Sequence, residues 1–450
     1  MSLFKLGNVH VPHRKNTAEA IPVRMPPPAT VSISMLHHIG APAKPVVAPG
    51  DKVYVGTLIG EAGGYVSAPV HSSVSGVVKK IEKVLVSAGK EIDSVLIESD
   101  GEMTPDPEIK APEITDFASF STAVRASGLV GLGGAGFPTS VKLDAIGKGI
   151  IKRLILNGAE CEPYITSDTR TMLDKSDLLR EGVELMLRFC DFEEVIFGIE
   201  KNKPAAIARL KEVFADMSKV RVEAMPSTYP QGGEKILIYN TTGLVIPEGK
   251  LPADVGVIVM NVTSLAFLAS YVRTGMPLVE KVITVDGSAI SAPANVIAPV
   301  GTAIKELIEF VGGTCSEVGK ILLGGPMMGV AVYTDTHPVL KTTNAVTVLS
   351  MKDAAPPKAT ACIHCGRCVS ACPMGLQPTY FARALNISDK REMCARLEDQ
   401  KISLCIECGC CSFVCPAKRP LVENNRLAKA AVREYKTSQA ATAKKEGGGK

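Results

Sequence analysis

Two short cysteine runs near the carboxyl end of the chain constrain its structure more than any other feature. In each run, successive cysteines are separated by two, two and three residues, and a proline follows the last one. The runs consist of Cys362, Cys365, Cys368 and Cys372, and of Cys405, Cys408, Cys411 and Cys415. Thiolates two residues apart wrap one corner of an iron–sulfur cubane, and the fourth thiolate of a run reaches the other cluster. The spacing therefore predicts two [4Fe-4S] clusters.

The fourth cysteines are predicted to be exchanged between the clusters, as they are in the bacterial ferredoxins whose motif these runs match. One cluster is assigned to Cys362, Cys365, Cys368 and Cys415, and the other to Cys405, Cys408, Cys411 and Cys372. The alternative, a pair of zinc knuckles, seldom includes the third two-residue step or the trailing proline. Cys394 and Cys410 have no place in the pattern, and we expect them to be packed thiols.

Composition indicates an ordinary globular chain of several domains. The 450 residues are 46% hydrophobic and 21% charged, which favours two to four domains. The net charge is only +4, and the basic residues after position 417 account for it, so we expect no nucleic-acid partner. The amino terminus has no apolar run of signal-peptide length, and no window suits a bilayer core. These features predict a cytoplasmic chain without a membrane span.

The pattern of apolar runs, turns and helical segments predicts a multidomain α/β and α+β fold. Short β-branched runs between Gly and Pro turns indicate a small β domain, and alternating helical and apolar runs indicate a parallel sheet with helices. The predicted segments are an N-terminal arm (1–30), a barrel-sandwich-like β domain (31–104), an α/β domain (113–272), a β-grasp domain (280–335), a helical two-cluster ferredoxin domain (355–436) and a disordered tail (437–450). The β domain resembles biotinyl and lipoyl carrier domains but lacks their carrier lysine.

A glycine-rich loop, GLGGAGFPT from Gly131, precedes a helical pattern, so its backbone amides are suited to an anionic phosphate. Alone it is a weak signal, since many such loops are packed turns. Three further motifs follow, NGAECEPY, YPQGGEK and NVTSLA, and in this order they resemble the flavin- and NADH-binding subunit of respiratory complex I. The resemblance implies an FMN site with NAD(H) as substrate. The residues it implies for cofactor binding are Gly131, Gly133, Gly134, Gly136, Lys142, Asn157, Glu160, Glu162, Tyr229, Gly232 and Asn261.

The match to that family is incomplete at two positions. Ala159 stands where the family has Asp, and Gly233 stands where it has the first Glu of its GEE motif, so some cofactor contacts must differ. Flavin chemistry asks little of acidic or basic side chains, because the cofactor itself converts hydride transfer into single electrons. No catalytic side chain is therefore assigned.

The order of the modules across the whole chain resembles the RnfC component of the Rnf ion-translocating electron transport complexes. Matching segments include HHIGAPAKPVV, SAPVHSSVSG, GLGGAGFPT and both cysteine runs. The resemblance implies a peripheral subunit on the cytoplasmic side of the cell membrane. Its partners would be membrane-embedded subunits and an iron–sulfur subunit that receives electrons from ferredoxin.

Two other functions compete with this interpretation. A soluble cobalamin reductase of bacterial microcompartments shares the flavin, β-grasp and cluster modules, but there the barrel-like domain is expected after the clusters. A non-enzymatic relay or scaffold, in which the N-terminal barrel is the working part, is disfavoured by the missing carrier lysine.

Overall fold

The computed structural model describes residues 6–85, 89–147 and 149–447, with side chains up to residue 440. The chain divides into two compact units. The larger unit consists of His13–Pro226 and Leu237–Ala355, and the smaller unit consists of the residues up to Pro12, Ser227–Ile236 and the residues from Pro356 onward.

The first part of the larger unit is a β structure around an apolar core that includes Ile33, Ile59 and Ile97. Its antiparallel strands form two small sheets, ordered β2-β8-β7-β4 and β3-β5-β6. The strands up to this point are β1 (Val23–Arg24), β2 (Thr30–Ser34), β3 (Lys44–Pro45), β4 (Lys52–Val53), β5 (Leu58–Glu61), β6 (Val70–His71), β7 (Gly76–Leu85) and β8 (Glu91–Ser99). Valine and isoleucine alternate with polar residues along these strands, which buries one face.

A parallel four-stranded sheet follows, in the order β11-β10-β9-β12. Its strands are β9 (Arg153–Asn157), β10 (Glu194–Glu200), β11 (Val220–Met225) and β12 (Val257–Asn261). Along β9, Leu154 and Leu156 enter one apolar core and Ile155 enters another. Both faces are therefore buried, as a parallel sheet requires. The helices of this region are α1 (Phe117–Ala126), α2 (Thr139–Ile146), α3 (Ser167–Asp174), α4 (Ser176–Phe189), α5 (Pro204–Val213), α6 (Glu234–Thr242) and α7 (Val262–Thr274), with a 3₁₀ turn at Pro252–Val255.

The third sheet of the larger unit has six strands in the order β1-β14-β13-β17-β15-β16. Its further elements are β13 (Glu280–Asp286), β14 (Ala294–Pro299), α8 (Ile304–Phe310), β15 (Val318–Leu323), β16 (Val330–Val332), β17 (Ala345–Ser350) and α9 (Met351–Ala354).

This sheet extends beyond the predicted β-grasp segment, 280–335, at both ends. Strand β17 lies after it, and β1 comes from the predicted N-terminal arm. Val23 pairs in parallel with Val296 of β14, and Met25 is buried in the core of the same sheet. The prolines after Met25 suggested a linker, whereas the residues just before them are strand and core.

The smaller unit is helical, with two helices between the cysteine runs. Its helices are α10 (Arg367–Ser370), α11 (Pro378–Ala384), α12 (Lys390–Asp399), α13 (Cys410–Phe413) and α14 (Leu421–Gly447), with a 3₁₀ turn at Ile402–Leu404. Helix α14 continues through most of the segment 437–450 that the sequence analysis assigned to a disordered tail. Alanine, lysine and glutamine are strong helix formers, which explains the continuation. Residues 448–450 lie outside the described part of the chain.

Candidate redox sites

Two asparagines mark the carboxyl edge of the parallel sheet. Asn157 ends β9, Asn261 ends β12, and the two are paired in register. From β9 the chain first continues to β10 on one side of that strand, and later it returns to β12 on the other side. Ligands of open α/β sheets bind at such a reversal of strand order, outside the carboxyl ends of the strands. The motif asparagines therefore stand at the expected position of a binding crevice.

Asn261 is fixed by hydrogen bonds on both sides of its amide. Its Oδ1 accepts from the backbone N–H groups of Thr263 and Ser264, which caps α7. Its Nδ2 donates to Oδ2 of Asp168 over 2.7 Å, and the Thr263 hydroxyl donates to the other oxygen of that carboxylate. Burial raises the pKa of Asp168. Asp168 could not be identified from the sequence, because nothing local indicates that its partner is almost a hundred residues away.

The glycine-rich loop lies against Asn261. A Cβ atom at Gly133 would stand 2.4 Å from Asn261 Nδ2, and one at Gly136, whose φ is +68°, would stand 2.7 Å from the Thr342 side chain. Gly133, Gly134 and Ala135 are exposed, and α2 begins three residues after Gly136. A bare backbone that leads into a helix amino terminus fits the phosphate of a flavin mononucleotide.

Two lysines approach this loop and its sheet. Lys142 on α2 donates from Nζ to the carbonyl of Val259 over 2.9 Å. Lys281 on β13 is buried, and its Nζ lies 3.3 Å from the carbonyl oxygen of Leu132 inside the glycine loop. Burial lowers the pKa of Lys281 to about 7, although Asp168 opposes the shift. Lys281 was also missed, because it belongs to the third sheet and reaches the loop only through tertiary packing.

Glu160 binds the start of α3. Its carboxylate accepts hydrogen bonds from the backbone N–H of Asp168 over 2.7 Å and from the N–H and hydroxyl of Thr169. Burial raises the pKa of Glu160 to about 7, and the Lys15 ammonium partly offsets the shift. Lys15 itself donates to the carbonyls of Glu160, Glu162 and Ile165, so the predicted N-terminal arm packs against this motif.

Glu162 binds a loop of the third sheet. Its two carboxylate oxygens accept from the backbone N–H groups of Met327 over 3.0 Å and Met328 over 2.7 Å. Burial raises its pKa to about 7. The resemblance implies that Glu160 and Glu162 hold flavin or nucleotide, but in this structure both carboxylates bind backbone groups of their own chain.

Ala159, the first departure from the complex I motif, is fully buried in the core around Ile155. Its carbonyl accepts from Lys203 Nζ over 2.6 Å, and Lys203 forms a buried ion pair with Glu200 over 2.8 Å. An aspartate here would place a carboxylate in this apolar core, so alanine suits the packing of this chain.

In the smaller unit, the eight motif cysteines line two cavities. The first cavity is lined by Cys362, Cys365, Cys368 and Cys415, together with Arg419 and apolar groups. The second is lined by Cys372, Cys405, Cys408 and Cys411, and the fifth cysteine in its lining is Cys410, which lies outside the motif. These sets are the crossed sets that the cysteine spacing predicts. Within the described part of the chain, no three His, Cys, Asp or Glu side chains are arranged to hold a single metal ion. Four cysteines around one cavity match the four-thiolate ligand set of a [4Fe-4S] cluster.

Left-handed residues shape both cysteine loops. His364 and Gly366 in the first run have φ values of +56° and +74°, and Glu407 and Gly409 in the second have +58° and +79°. Each glycine then caps a short helix, α10 or α13. The same sequence of turns folds both runs around their cavities.

Hydrogen bonds to the sulfur atoms differ between the cavities. In the first, Cys362 Sγ accepts from the His364 N–H over 3.4 Å. In the second, Cys372 Sγ accepts from the Leu376 N–H over 3.3 Å, and Cys405 Sγ accepts from Asn425 Nδ2 over 3.4 Å. Asn425 is a buried side chain of α14 and was not predicted from the sequence. Donors of this kind tune the reduction potential of a cluster.

Two predicted cofactor residues, Tyr229 and Gly232, belong to the smaller unit rather than to the unit of the glycine loop. Tyr229 is buried and pairs through its backbone with Val9. Cys410 Sγ lies 3.9 Å from the Tyr229 carbonyl oxygen. Cys410 and Cys394 are both fully buried, as predicted for packed thiols.

Four family models match consecutive parts of the chain. They are the RnfC barrel sandwich hybrid domain at residues 4–102, the Nuo51 FMN-binding domain at 124–270, the SLBB domain at 282–331 and the 4Fe-4S dicluster domain at 358–419. The barrel precedes the FMN-binding domain, which is not the order expected for the cobalamin reductases. The chain is therefore an iron–sulfur flavoprotein that binds FMN and two [4Fe-4S] clusters.

Its relatives are subunits of one kind of complex. It is 41% identical over 432 residues to the C subunit of the Na⁺-translocating ferredoxin:NAD⁺ oxidoreductase complex of Acetobacterium woodii, covering 95% of this chain and 96% of the relative. It is 39% identical to the C subunit of the proton-translocating complex of Clostridium ljungdahlii, covering 84% and 83% of the two chains. The chain belongs to the RnfC family, the C subunits of ion-translocating ferredoxin:NAD⁺ oxidoreductase complexes.

Among solved structures, an NAD⁺-reducing [NiFe]-hydrogenase in the H₂-reduced state shares the fold. Its TM-score is 0.51 at 17% identity, over 74% of this chain and 67% of that one. In the described part of the present chain, no helix has the length and apolar character needed to cross a membrane.

Proposed function

We propose that this chain is a peripheral subunit of a membrane-bound ferredoxin:NAD⁺ oxidoreductase. In this role it passes electrons between NAD(H), FMN and its two clusters, while partner subunits translocate ions. Bound flavin supplies the exchange between a two-electron hydride and single electrons. The observation that carries the proposal is the grouping of eight thiols around two cavities, in a chain that also holds a bare glycine loop at the carboxyl edge of a parallel sheet.

The proposed ligands of the clusters are the lining cysteines. Cys362, Cys365, Cys368 and Cys415 would hold one cluster, and Cys372, Cys405, Cys408 and Cys411 the other. A thiolate is the ligand that iron–sulfur clusters use in such motifs.

The proposed FMN contacts divide into groups that touch the cofactor and groups that support them. The glycines of the loop, with Lys142, Asn157 and Asn261, would bind the flavin nucleotide. Glu160 and Glu162 would act as supports, because their carboxylates hold α3 and the loop at Met327 in place. The resemblance to the complex I flavoprotein adds Tyr229 and Gly232 to the proposed contacts.

The proposed location is the cytoplasmic side of the cell membrane, next to membrane-embedded subunits and an iron–sulfur subunit that takes electrons from ferredoxin. Support comes from the relatives, which are subunits of complexes named as ion-translocating.

Anaerobic reconstitution of the full chain tests the proposal. The chain is loaded with iron, sulfide and FMN, and NADH is then added. We expect bleaching of the flavin absorbance, followed by the electron paramagnetic resonance signals of reduced clusters. A chain that carries flavin and clusters but is not reduced by NADH contradicts the proposal.

A pair of glycine variants tests the flavin site separately. Gly133→Ala places a Cβ 2.4 Å from Asn261 Nδ2, so we expect most of the bound FMN to be lost while the iron content is kept. Gly64→Ala is the control, because its Cβ would make only an ordinary contact of 3.6 Å in the barrel. Equal FMN content in both variants would exclude the glycine loop as the cradle.

A further inference from the structure

One lysine of the third sheet reaches the glycine-rich loop from inside the protein. Lys281, on β13, is 5% exposed, and its Nζ lies 3.3 Å from the carbonyl oxygen of Leu132. Burial of an ammonium group is costly unless polar groups compensate it. The flavin motifs do not explain this costly position, because Lys281 lies between the segments matched by the FMN-binding and SLBB models, 124–270 and 282–331.

Both polar backbone groups of Leu132 are held inside the protein. Its N–H donates to the Ser264 hydroxyl over 3.2 Å, and its carbonyl accepts from Lys281. Ser264 is buried in the first turn of α7, where its own N–H donates to Asn261 Oδ1. The glycine-rich loop is therefore anchored on both sides of Leu132, which is itself buried.

The contact with Lys281 fixes the orientation of the peptide unit between Leu132 and Gly133. This peptide is trans and planar, so its carbonyl and its N–H point in opposite directions. Lys281 holds the carbonyl inward, and Gly133 is exposed. The Gly133 N–H is thereby directed outward, on the open side of the loop.

The charge that acts on Lys281 belongs to Asp168, and it raises the pKa of the ammonium against the effect of burial. Both oxygens of the Asp168 carboxylate already accept hydrogen bonds, from Asn261 Nδ2 and from the Thr263 hydroxyl, each over 2.7 Å. The carboxylate therefore acts on the lysine through its charge, whereas the ammonium makes its direct contact with the loop.

We propose that Lys281 is a positioning residue for FMN, whose hydrogen bond to Leu132 turns the Gly133 N–H outward as a donor to the cofactor phosphate. Ser264 holds the other side of Leu132 and supports the same orientation. The inference rests on the flavin site of the proposed function, and it adds the side chains that make the loop specific for a phosphorylated flavin. The FMN site therefore includes a residue of the third sheet.

An outward amide suits a phosphate better than it suits the uncharged parts of a flavin. Hydrogen bonds to an ionised acceptor are about twice as strong as those between neutral groups. Backbone N–H groups of glycine-rich loops bind phosphates for this reason. Riboflavin has the same ring system and ribityl chain as FMN but lacks the phosphate, so a misdirected Gly133 amide should weaken FMN more than riboflavin.

The test measures the dissociation constants of FMN and riboflavin for the full chain loaded with its clusters, by quenching of the flavin fluorescence without oxygen. The FMN preference is the ratio of the riboflavin constant to the FMN constant. We expect the unmodified chain to prefer FMN. In Lys281→Met, which keeps a long unbranched side chain without a donor, the FMN preference should fall at least about ten-fold, because a hydrogen bond to a charged group is lost.

A second variant keeps the test decisive if Lys281→Met does not fold. Ser264→Ala removes only the acceptor of the Leu132 N–H, which is one neutral hydrogen bond. Its loss loosens the same peptide from the other side, so the FMN preference should fall about three-fold. An unchanged preference in Ser264→Ala would contradict the inference.

The matched control is Lys341→Met. Lys341 is also fully buried, and burial lowers its pKa to about 7, as it does for Lys281. Its Nζ donates to the carbonyls of Pro69 and Gly128, each over 2.8 Å and both outside the glycine-rich loop. A general effect of removing a buried ammonium should change the thermal midpoint of both variants, whereas the FMN preference should change only in Lys281→Met.

The inference is overturned if Lys281→Met weakens FMN and riboflavin equally, if it weakens neither, or if Lys341→Met lowers the FMN preference as much. NADH is added to the FMN-loaded unmodified chain to separate the two proposals. Reduction by NADH, together with an unchanged FMN preference in Lys281→Met, removes this inference alone. A lowered FMN preference in Lys281→Met, together with FMN that NADH does not reduce in the unmodified chain, removes the proposed function alone.

Discussion

The two thiol-lined cavities share their spacing and turns but differ in what surrounds their sulfur atoms. The cavity of Cys405 receives a side-chain donor from Asn425, and the neighbouring Glu407 is paired with Lys429 over 2.6 Å. The cavity of Cys365 has an exposed thiol and no acidic residue among its lining residues. Hydrogen bonds and solvent exposure set cluster potentials, so two near-identical motifs are expected to give two unlike redox centres.

Removing one ligand from each cavity gives the largest expected effect. Cys365→Ala and Cys408→Ala should each lose one cluster, leaving about half of the iron and sulfide, because a cubane needs its four thiolates. The thermal midpoint should fall further for Cys408→Ala, since Cys408 is buried and Cys365 is exposed. Iron analysis and calorimetry measure both effects. An equal loss of stability would show that the cavities support the fold alike.

Cys410 and Arg367 occupy the same position in the two runs, and exchanging their residue types should lower stability only at position 410. Cys410→Arg places a cation in a fully buried position and should destabilise the smaller unit by about 3 kcal/mol or more. Arg367→Cys, on the exposed side, should change stability by less than about 0.5 kcal/mol. Urea unfolding of the cluster-loaded chain measures the difference. Tolerance of the arginine at position 410 would argue that segment 227–236 does not cover the second loop.

In air, the two clusters should be lost at different rates. The cluster held by the exposed Cys365 should be lost first, because oxygen and water reach it directly, and the covered cluster should persist. Timed iron release with electron paramagnetic resonance of the remaining cluster tests this order. In Cys365→Ala the fast phase should be absent, and its persistence there would contradict the assignment.

The smallest expected effect comes from Asn425→Leu, which keeps the branched outline of the side chain but removes the donor to Cys405. A donor stabilises the extra negative charge of a reduced cluster, so its loss should lower one reduction potential. One hydrogen bond of about 1 kcal/mol corresponds to about 40 mV for a one-electron couple. Potentiometric titration should show one couple shifted and the other unchanged. A shift of both couples would indicate a general rearrangement.

The sequence predicted features that depend on spacing, and it missed those that depend on tertiary partners. The grouping of Cys372 with the second run follows from ligand reach, which is a local property. The roles of Glu160 and Glu162 cannot be predicted from such a local property, because the backbone amides that they bind come from α3 and from the loop at Met327. A motif reveals that a carboxylate is present but not what it binds.

Dependence on tertiary partners also explains the other elements and residues that the sequence did not predict. Val23 lies in a strand because β14 offers it a free edge, and no property of the arm itself indicates that. Only the structure identifies Asp168, Lys281 and Asn425, because their hydrogen-bond partners lie on distant elements of the chain. The α/β pattern, in contrast, was predictable because a buried parallel sheet leaves apolar runs in the sequence.

The smaller unit is assembled from three separated stretches of chain, the last of which carries all eight motif cysteines. A fragment that begins at Pro356 would contain the cysteines but not Gly7, Tyr229 and Gly233, which lie against the residues around the second cavity. Such a fragment would expose the cluster of the second cavity to solvent. Moving this electron-transfer part into another protein therefore requires that all three stretches are moved together.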